Sequence, residues 1–206
     1  MPKVLNVNES YTFSRYFELP YTPEDILADL DCTLERTDRA DLPYSNITLE
    51  WLPDLSESIK RRLKRVNMTC EQARREALIF PVIDRICDDF DYPLNLEYTV
   101  NASNWLKGSL DYYIPSPHRL LIIEAKQADL TRGFTQLAVE LIALDRWVEH
   151  STPILYGAVS TGEIWRFGAF HTQTNCVVEY LPLHPVPQNL EFVVRTLVGI
   201  LQLSGG

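Results

Sequence analysis

The chain has 206 residues, 46% of them hydrophobic, and a formal net charge of −9 from 28 acidic and 19 basic side chains. That length suits one generous domain, or a core with an extension, and the apolar fraction excludes wholesale disorder. The acid excess excludes a protein that coats nucleic acid indiscriminately, because phosphate binding needs surplus Lys and Arg.

A local basic rim remains compatible with that balance. Lys60, Arg61, Arg62, Lys64 and Arg65, followed by Arg74 and Arg75, form the one basic concentration. It reads either as a solvated helix face or as a phosphate track. Cys32, Cys70, Cys87 and Cys176 are scattered and form no CxxC pair, which points to buried free thiols in a reducing compartment rather than structural zinc. The opening MPKVLNVNESYTFSRYF has no apolar stretch of the secretory kind. The late apolar segment from Phe192 to Leu203 is broken by Arg195 and Gln202 and is too short for a bilayer. The expectation is a soluble, cytoplasmic protein without a membrane partner.

In chain order, Thr22-Pro23-Glu24-Asp25 predicts a helix start: a capping hydroxyl, Pro in the first turn, then acids at the positive dipole end. A second helix is expected to open at Asp54 and carry the basic cluster. Residues 1–66 are expected to be a helical extension packed on a core domain at 67–206. Leu78, Ile79, Val82, Ile83 and Ile86 predict a helix from Thr69 to about Asp88, with Pro81 kinking or breaking it. Strands are expected over Asn95 to Val100, Gly108 to Ile114 and Leu120 to Lys126. A helix follows from Asp129 or Thr131 to about Glu149. Strands Pro153 to Ser160, Glu163 to Phe170 and Asn175 to Leu181 come next, with Thr161-Gly162 as a tight turn, and a last helix covers Leu190 to Leu203. The class is α/β in the broad sense, an α+β mixed sheet packed against helices.

The stretch GSLDYYIPSPHRLLIIEAK, residues 108 to 126, carries the chemistry. Alternation along a strand puts Glu124 and Lys126 on one face. If Pro115 pairs with Leu120 across a hairpin, Asp111 lies opposite Glu124 and shares its face. Asp111, Glu124 and the carbonyl of Ala125 then form a hard-oxygen site for Mg²⁺, with Mn²⁺ as substitute. Lys126 projects to the same side, where it could orient an attacking water. The competing reading is a solvent-facing salt bridge. Four large aliphatics run directly into Glu124-Ala125-Lys126, however, and burying those charges is unfavourable unless they are used.

Asp111, twelve intervening residues and Glu124-Ala125-Lys126 resemble the PD-(D/E)xK nuclease superfamily. The closest likeness is to the nuclease domain of type I restriction R subunits and its stand-alone relatives. The resemblance runs from about Glu71 to Phe170. Glu71-x3-Arg75-Glu76-x-Leu78-Ile79-x-Pro81 resembles the family's first helix, which implies a third metal carboxylate. Glu76 is favoured for that role, with Glu71 as the other candidate. Gln136 matches the glutamine that extends the catalytic motif, and Ala158-Val-Ser-Thr-Gly-Glu-Ile-Trp165 resembles the family's strand-turn-strand. The implied core is restriction-endonuclease-like, in the order α-β-β-β-α-β. The implied activity is a metal-dependent DNA endonuclease of restriction or defence, working as a homodimer or in a larger complex.

Two positions depart from the family pattern. Leu110 stands where the motif has its proline, and Glu140 where the restriction subunits carry a tyrosine. Helical spacing sets Arg132, Gln136 and Glu140 on one face, and a polar solvent stripe is the plain alternative for Arg132 and Glu140. The chain has no GxxxxGK[ST] loop for nucleotide-driven translocation. His118, His150, His171 and His184 follow element ends and are expected at the surface. Trp105, Tyr112, Tyr113 and Trp165 are expected to pack in the core. Two other functions stay open: a non-catalytic nuclease-like module binding a protein or nucleic acid, and a hydrolase of a different phosphorylated substrate.

Overall fold

A computed structural model describes residues 3–39, 41–116, 120–124, 129–149 and 152–202, with the backbone alone at 120–124. Thr22 caps α2 (Pro23–Asp29) by accepting from the Asp25 amide and also hydrogen-bonds the Asp25 carboxylate, as the sequence there predicts. A short helix without a sequence signal, α1 (Phe13–Glu18), precedes it. The basic cluster rides on α3 (Leu52–Arg65).

The helix expected from Thr69 to Asp88 is divided. After α4 (Glu71–Arg74) comes one π-helical segment, Arg75–Ile79, and then α5 (Phe80–Phe90). Pro81 in the first turn of α5 is the reason: it has no amide to donate to the turn before it, and the widened segment absorbs the missing bond.

Eight strands form one mixed sheet in the order β1-β7-β6-β5-β4-β3-β2, with β8 also pairing β6. They are β1 (Thr33–Thr37), β2 (Asn95–Asn101), β3 (Lys107–Ile114), β4 (Leu120–Glu124), β5 (Ile154–Ser160), β6 (Ile164–His171), β7 (Cys176–Tyr180) and β8 (His184–Pro185). β2, β3 and β4 form an antiparallel meander, and α6 (Leu130–Trp147) returns the chain to β5 parallel to β4. The expected α-β-β-β-α-β order is present. Helix α7 (Leu190–Gln202) closes the chain.

One apolar layer packs α3, α5 and α7 on a sheet face through Leu55, Ile59, Ile83, Tyr112, Ala158 and Val194. The other packs α1, α2 and α6 through Phe13, Leu27, Leu110, Tyr113, Leu141 and Val177. The N-terminal third thus adds to both layers and supplies β1, parallel to β7, so it is woven into the sheet and is not solely a helical extension. Among the described residues no helix is long and apolar enough to cross a membrane.

Candidate active site

The β3–β4 pairing is one residue out of the expected register. Leu120 pairs with Ile114, Leu121 with Tyr113 and Ile122 with Tyr112, so Pro115 is not a pairing partner and Asp111 does not oppose Glu124. Pro115 lacks an amide for the ladder, and the strand ends before it. A one-residue slip exchanges sheet faces, and regular alternation would send Asp111 to the α6 side with Tyr113.

A second irregularity reverses that outcome. Leu110 and Tyr113 belong to the α6-side layer, whereas Tyr112 belongs to the α5 side. Asp111 ion-pairs with Arg75 (Oδ1 to Nη1, 3.3 Å), whose guanidinium lies 5.2 Å from the Tyr112 ring centre. Asp111 and Tyr112 therefore both turn toward the α4–α5 side, with the β2–β3 register unchanged on either side of the break. Across from them Glu97 has a left-handed φ of 50°, and the β2–β3 ladder skips the Glu97–Asp111 pair. The Glu97 carboxylate reaches the same guanidinium at 2.8 Å.

A cavity of about 600 Å³ opens there, lined by Glu71, Gln72, Arg75, Glu76, Phe80, Leu96, Glu97 and Tyr112. Both helix carboxylates weighed in the sequence line it: Glu71 is exposed, and Glu76 accepts from the Gln72 amide at 3.0 Å. The π segment begins between them, so residues of both helical stripes reach one opening. Burial works against the charge on Arg75, but Asp111, Tyr112 and Glu97 outweigh it and raise the arginine's pKa further. The guanidinium is thus a fixed cation between two carboxylates.

Comparison of the chain with protein-family models, curated proteins and solved structures finds no match. The chemistry of the site has to be argued from its own residues.

Glu71, Glu76 and Glu97 line one space and Asp111 pairs with Arg75 of the same lining, and carboxylate oxygens are the donors a hard divalent cation takes. Among the described residues no three acidic, His or Cys side chains converge closely enough to hold a metal as they stand. Ala125 and Lys126 lie outside the described residues, and Glu124 is described by its backbone. That backbone closes β4 opposite Ser160 of β5, two positions beyond Ile122, which pairs with both Tyr112 and Ala158 of the α5-side layer.

Gln136 does not line the cavity. It is buried on α6 and donates to Glu140 Oε1 at 2.9 Å, and Glu140 itself is fully buried. The solvent-stripe reading therefore fails for Glu140 and holds for Arg132, exposed beside Asp129. Helix α6 packs against β2, β4, β5 and β6 as well as α1 and α2, which encloses it on more than one side. The Thr161–Gly162 turn forms as expected, with Gly162 at φ 86° close to Leu78 of the π segment.

Sequence reading missed Glu97, and little could have revealed it. It sits in the ordinary alternation of Asn95-Leu96-Glu97-Tyr98, and nothing local announces a left-handed glutamate. Arg75 was visible only as a letter of the helix motif. Trp165 is fully buried and Tyr113 is core, while Tyr112 is core with an edge on the cavity. His184 departs from its expected surface position: it is half-buried, stacked on Phe192 at 4.2 Å, and burial lowers its pKa.

Proposed function

We propose that this chain is a metal-dependent phosphodiester hydrolase of the PD-(D/E)xK plan, acting on DNA. The observation that carries the reading is the distortion at Asp111 and Glu97. It turns Asp111 onto Arg75, which lines the opening together with Glu71, Glu76 and Glu97, within the helix, three-strand, helix, strand order. In this reading Asp111, Glu124, the Ala125 carbonyl and Glu76 hold Mg²⁺ or Mn²⁺. The ion would supply charge neutralisation at the phosphate and acidify a bound water. Lys126 orients the attacking water. Gln136, engaged with Glu140, contributes through the placement of α6 as a positioning residue.

One observation favours a second reading, a non-catalytic module. Arg75 already ion-pairs with both Asp111 and Glu97, so the site can persist without a metal. Plasmid and single-stranded DNA incubated with Mg²⁺ or Mn²⁺ separate the two. The hydrolase predicts cleavage that falls about a hundredfold or more in Asp111→Asn and in Lys126→Ala, with thermal stability retained. A folded wild type that neither cuts DNA nor takes up Mg²⁺ in calorimetry would leave the binding module as the answer.

A further inference from the structure

The structure shows an imbalance in how this acidic chain disposes of its cations. Most arginines outside α3 are matched to acid: Arg15 with Glu9, Arg36 with Glu24 and Glu179, Arg75 with Glu97 and Asp111, Arg85 with Asp89, Arg166 with Glu179 and Arg195 with Glu191. On α3, Lys60 pairs with Glu57 and Arg62 bonds the Ser58 hydroxyl. Arg61, Lys64 and Arg65 are exposed and make no ion pair among the described residues. Cations at a helix C-terminus do complement its dipole, but that effect fades within the last turn and does not require three unmatched charges.

Their position gives the imbalance a use. The apolar side of α3, through Ile59 and Leu63, packs in the same layer as Leu78 and Ile79 of the π segment. The chain from Arg65 reaches Glu71 at the cavity after five residues, and the loop is drawn back by the Arg74 side chain donating to the Met68 carbonyl. The cations therefore sit on a helix packed against the π segment whose residues Arg75 and Glu76 line the acidic opening. A polyanion is repelled by most of this surface and can approach where positive charge is unmatched. Arg61 and Arg65 are one turn apart, about 6 Å along the axis, while successive phosphates of a strand rise about 3.4 Å, so long side chains can serve neighbouring phosphates.

We propose that the face of α3 bearing Arg61, Lys64 and Arg65 is a docking surface for the phosphate backbone of the nucleic acid presented to the adjoining cavity. This rests on reading that cavity as a phosphodiester site. The contacts are to phosphate and carry no base preference.

The test is binding of fluorescein-labelled duplex and single-stranded DNA, by anisotropy, in chelator and across a salt series. Combined Arg61→Ala, Lys64→Ala and Arg65→Ala should weaken binding about tenfold or more and reduce the log–log salt slope by about two to three. Lys64→Ala alone should reduce the slope by about one. Lys3→Ala with Arg39→Ala, which removes exposed charge elsewhere, should change neither. Equal affinity and slope in wild type and the α3 variants would overturn the proposal, as would no DNA binding by the wild type. Loss of binding to an acidic peptide but not to DNA would assign the surface to a protein partner instead. Because the readout needs no metal, DNA cleavage that ignores α3 sinks the surface alone. Binding that depends on α3 without any cleavage sinks the hydrolase alone.

Discussion

Two arginine–carboxylate clusters lie on opposite faces of the same sheet, and they are balanced differently. On the α2 side, Glu179 is held by Arg36 at 2.9 Å and Arg166 at 2.7 Å, and Arg36 also bonds Glu24. The Glu179 side chain is only 5% exposed, and each charge there has its opposite. On the α5 side, among the described residues, one arginine serves Glu97 and Asp111, with Glu71 and Glu76 facing the same cavity. The Asp111 side chain is 23% exposed and that of Glu97 58%. A closed, neutral network ties strands together. An open one with surplus acid has capacity for another cation, and that difference separates structural charge from charge available for chemistry.

The largest effect should come from the closed network. Glu179→Ala leaves the partly buried Arg166 beside no other carboxylate among the described residues, and losing one partner of a buried pair costs about 3–5 kcal/mol. Denaturant unfolding measures it. A loss under about 1 kcal/mol would mean that Glu179 is no more structural than a surface ion pair and would erase the contrast.

A smaller effect sharpens the open side. Arg75→Gln removes the positive charge from between Asp111 and Glu97, so a divalent cation no longer competes with it. Calorimetric Mg²⁺ or Mn²⁺ affinity should rise about tenfold, equivalent to about 1.4 kcal/mol of electrostatic relief at a partly wet site. If Arg75→Gln lowers stability and still takes up no metal, the arginine is the cluster's permanent counter-ion and both clusters are structural.

These two clusters also mark where the sequence can and cannot be read. The strand of four aliphatics ending in Glu124, the meander before it and the returning α6 were legible because periodicity and turn residues act locally. The site's assembly was not. Asp111 reaches its face by two departures from regularity, a ladder ended at Pro115 and a left-handed Glu97, and each depends on partners distant in sequence. The burial of Gln136 and Glu140 was equally hidden, since it depends on how sheet and helices together enclose a helix that looks one-sided. Strand β1 was missed because Thr-Leu-Glu-Arg-Thr is an edge strand with little apolar content, held by the parallel ladder to β7 and the Arg36–Glu179 pair.

The smallest effect lies at the rim of the closed network and bears on acid stability. The Arg36 side chain, by hydrogen bonding, lowers the pKa of Glu24 from its ordinary 4.5. A carboxylate with a depressed folded pKa binds its proton more weakly in the folded chain than in the unfolded one. Its stabilisation is therefore complete above pH 4.5 and is lost as pH falls through the lower folded value. Glu24 is nearly half exposed, so solvent screening keeps the contribution small. Glu24→Gln should leave the melting temperature at neutral pH slightly reduced and flatten its decline between pH 4.5 and the acid transition. An unchanged acid limb would mean that Glu179 is the only carboxylate that matters to Arg36, and that the network ends at the buried carboxylate.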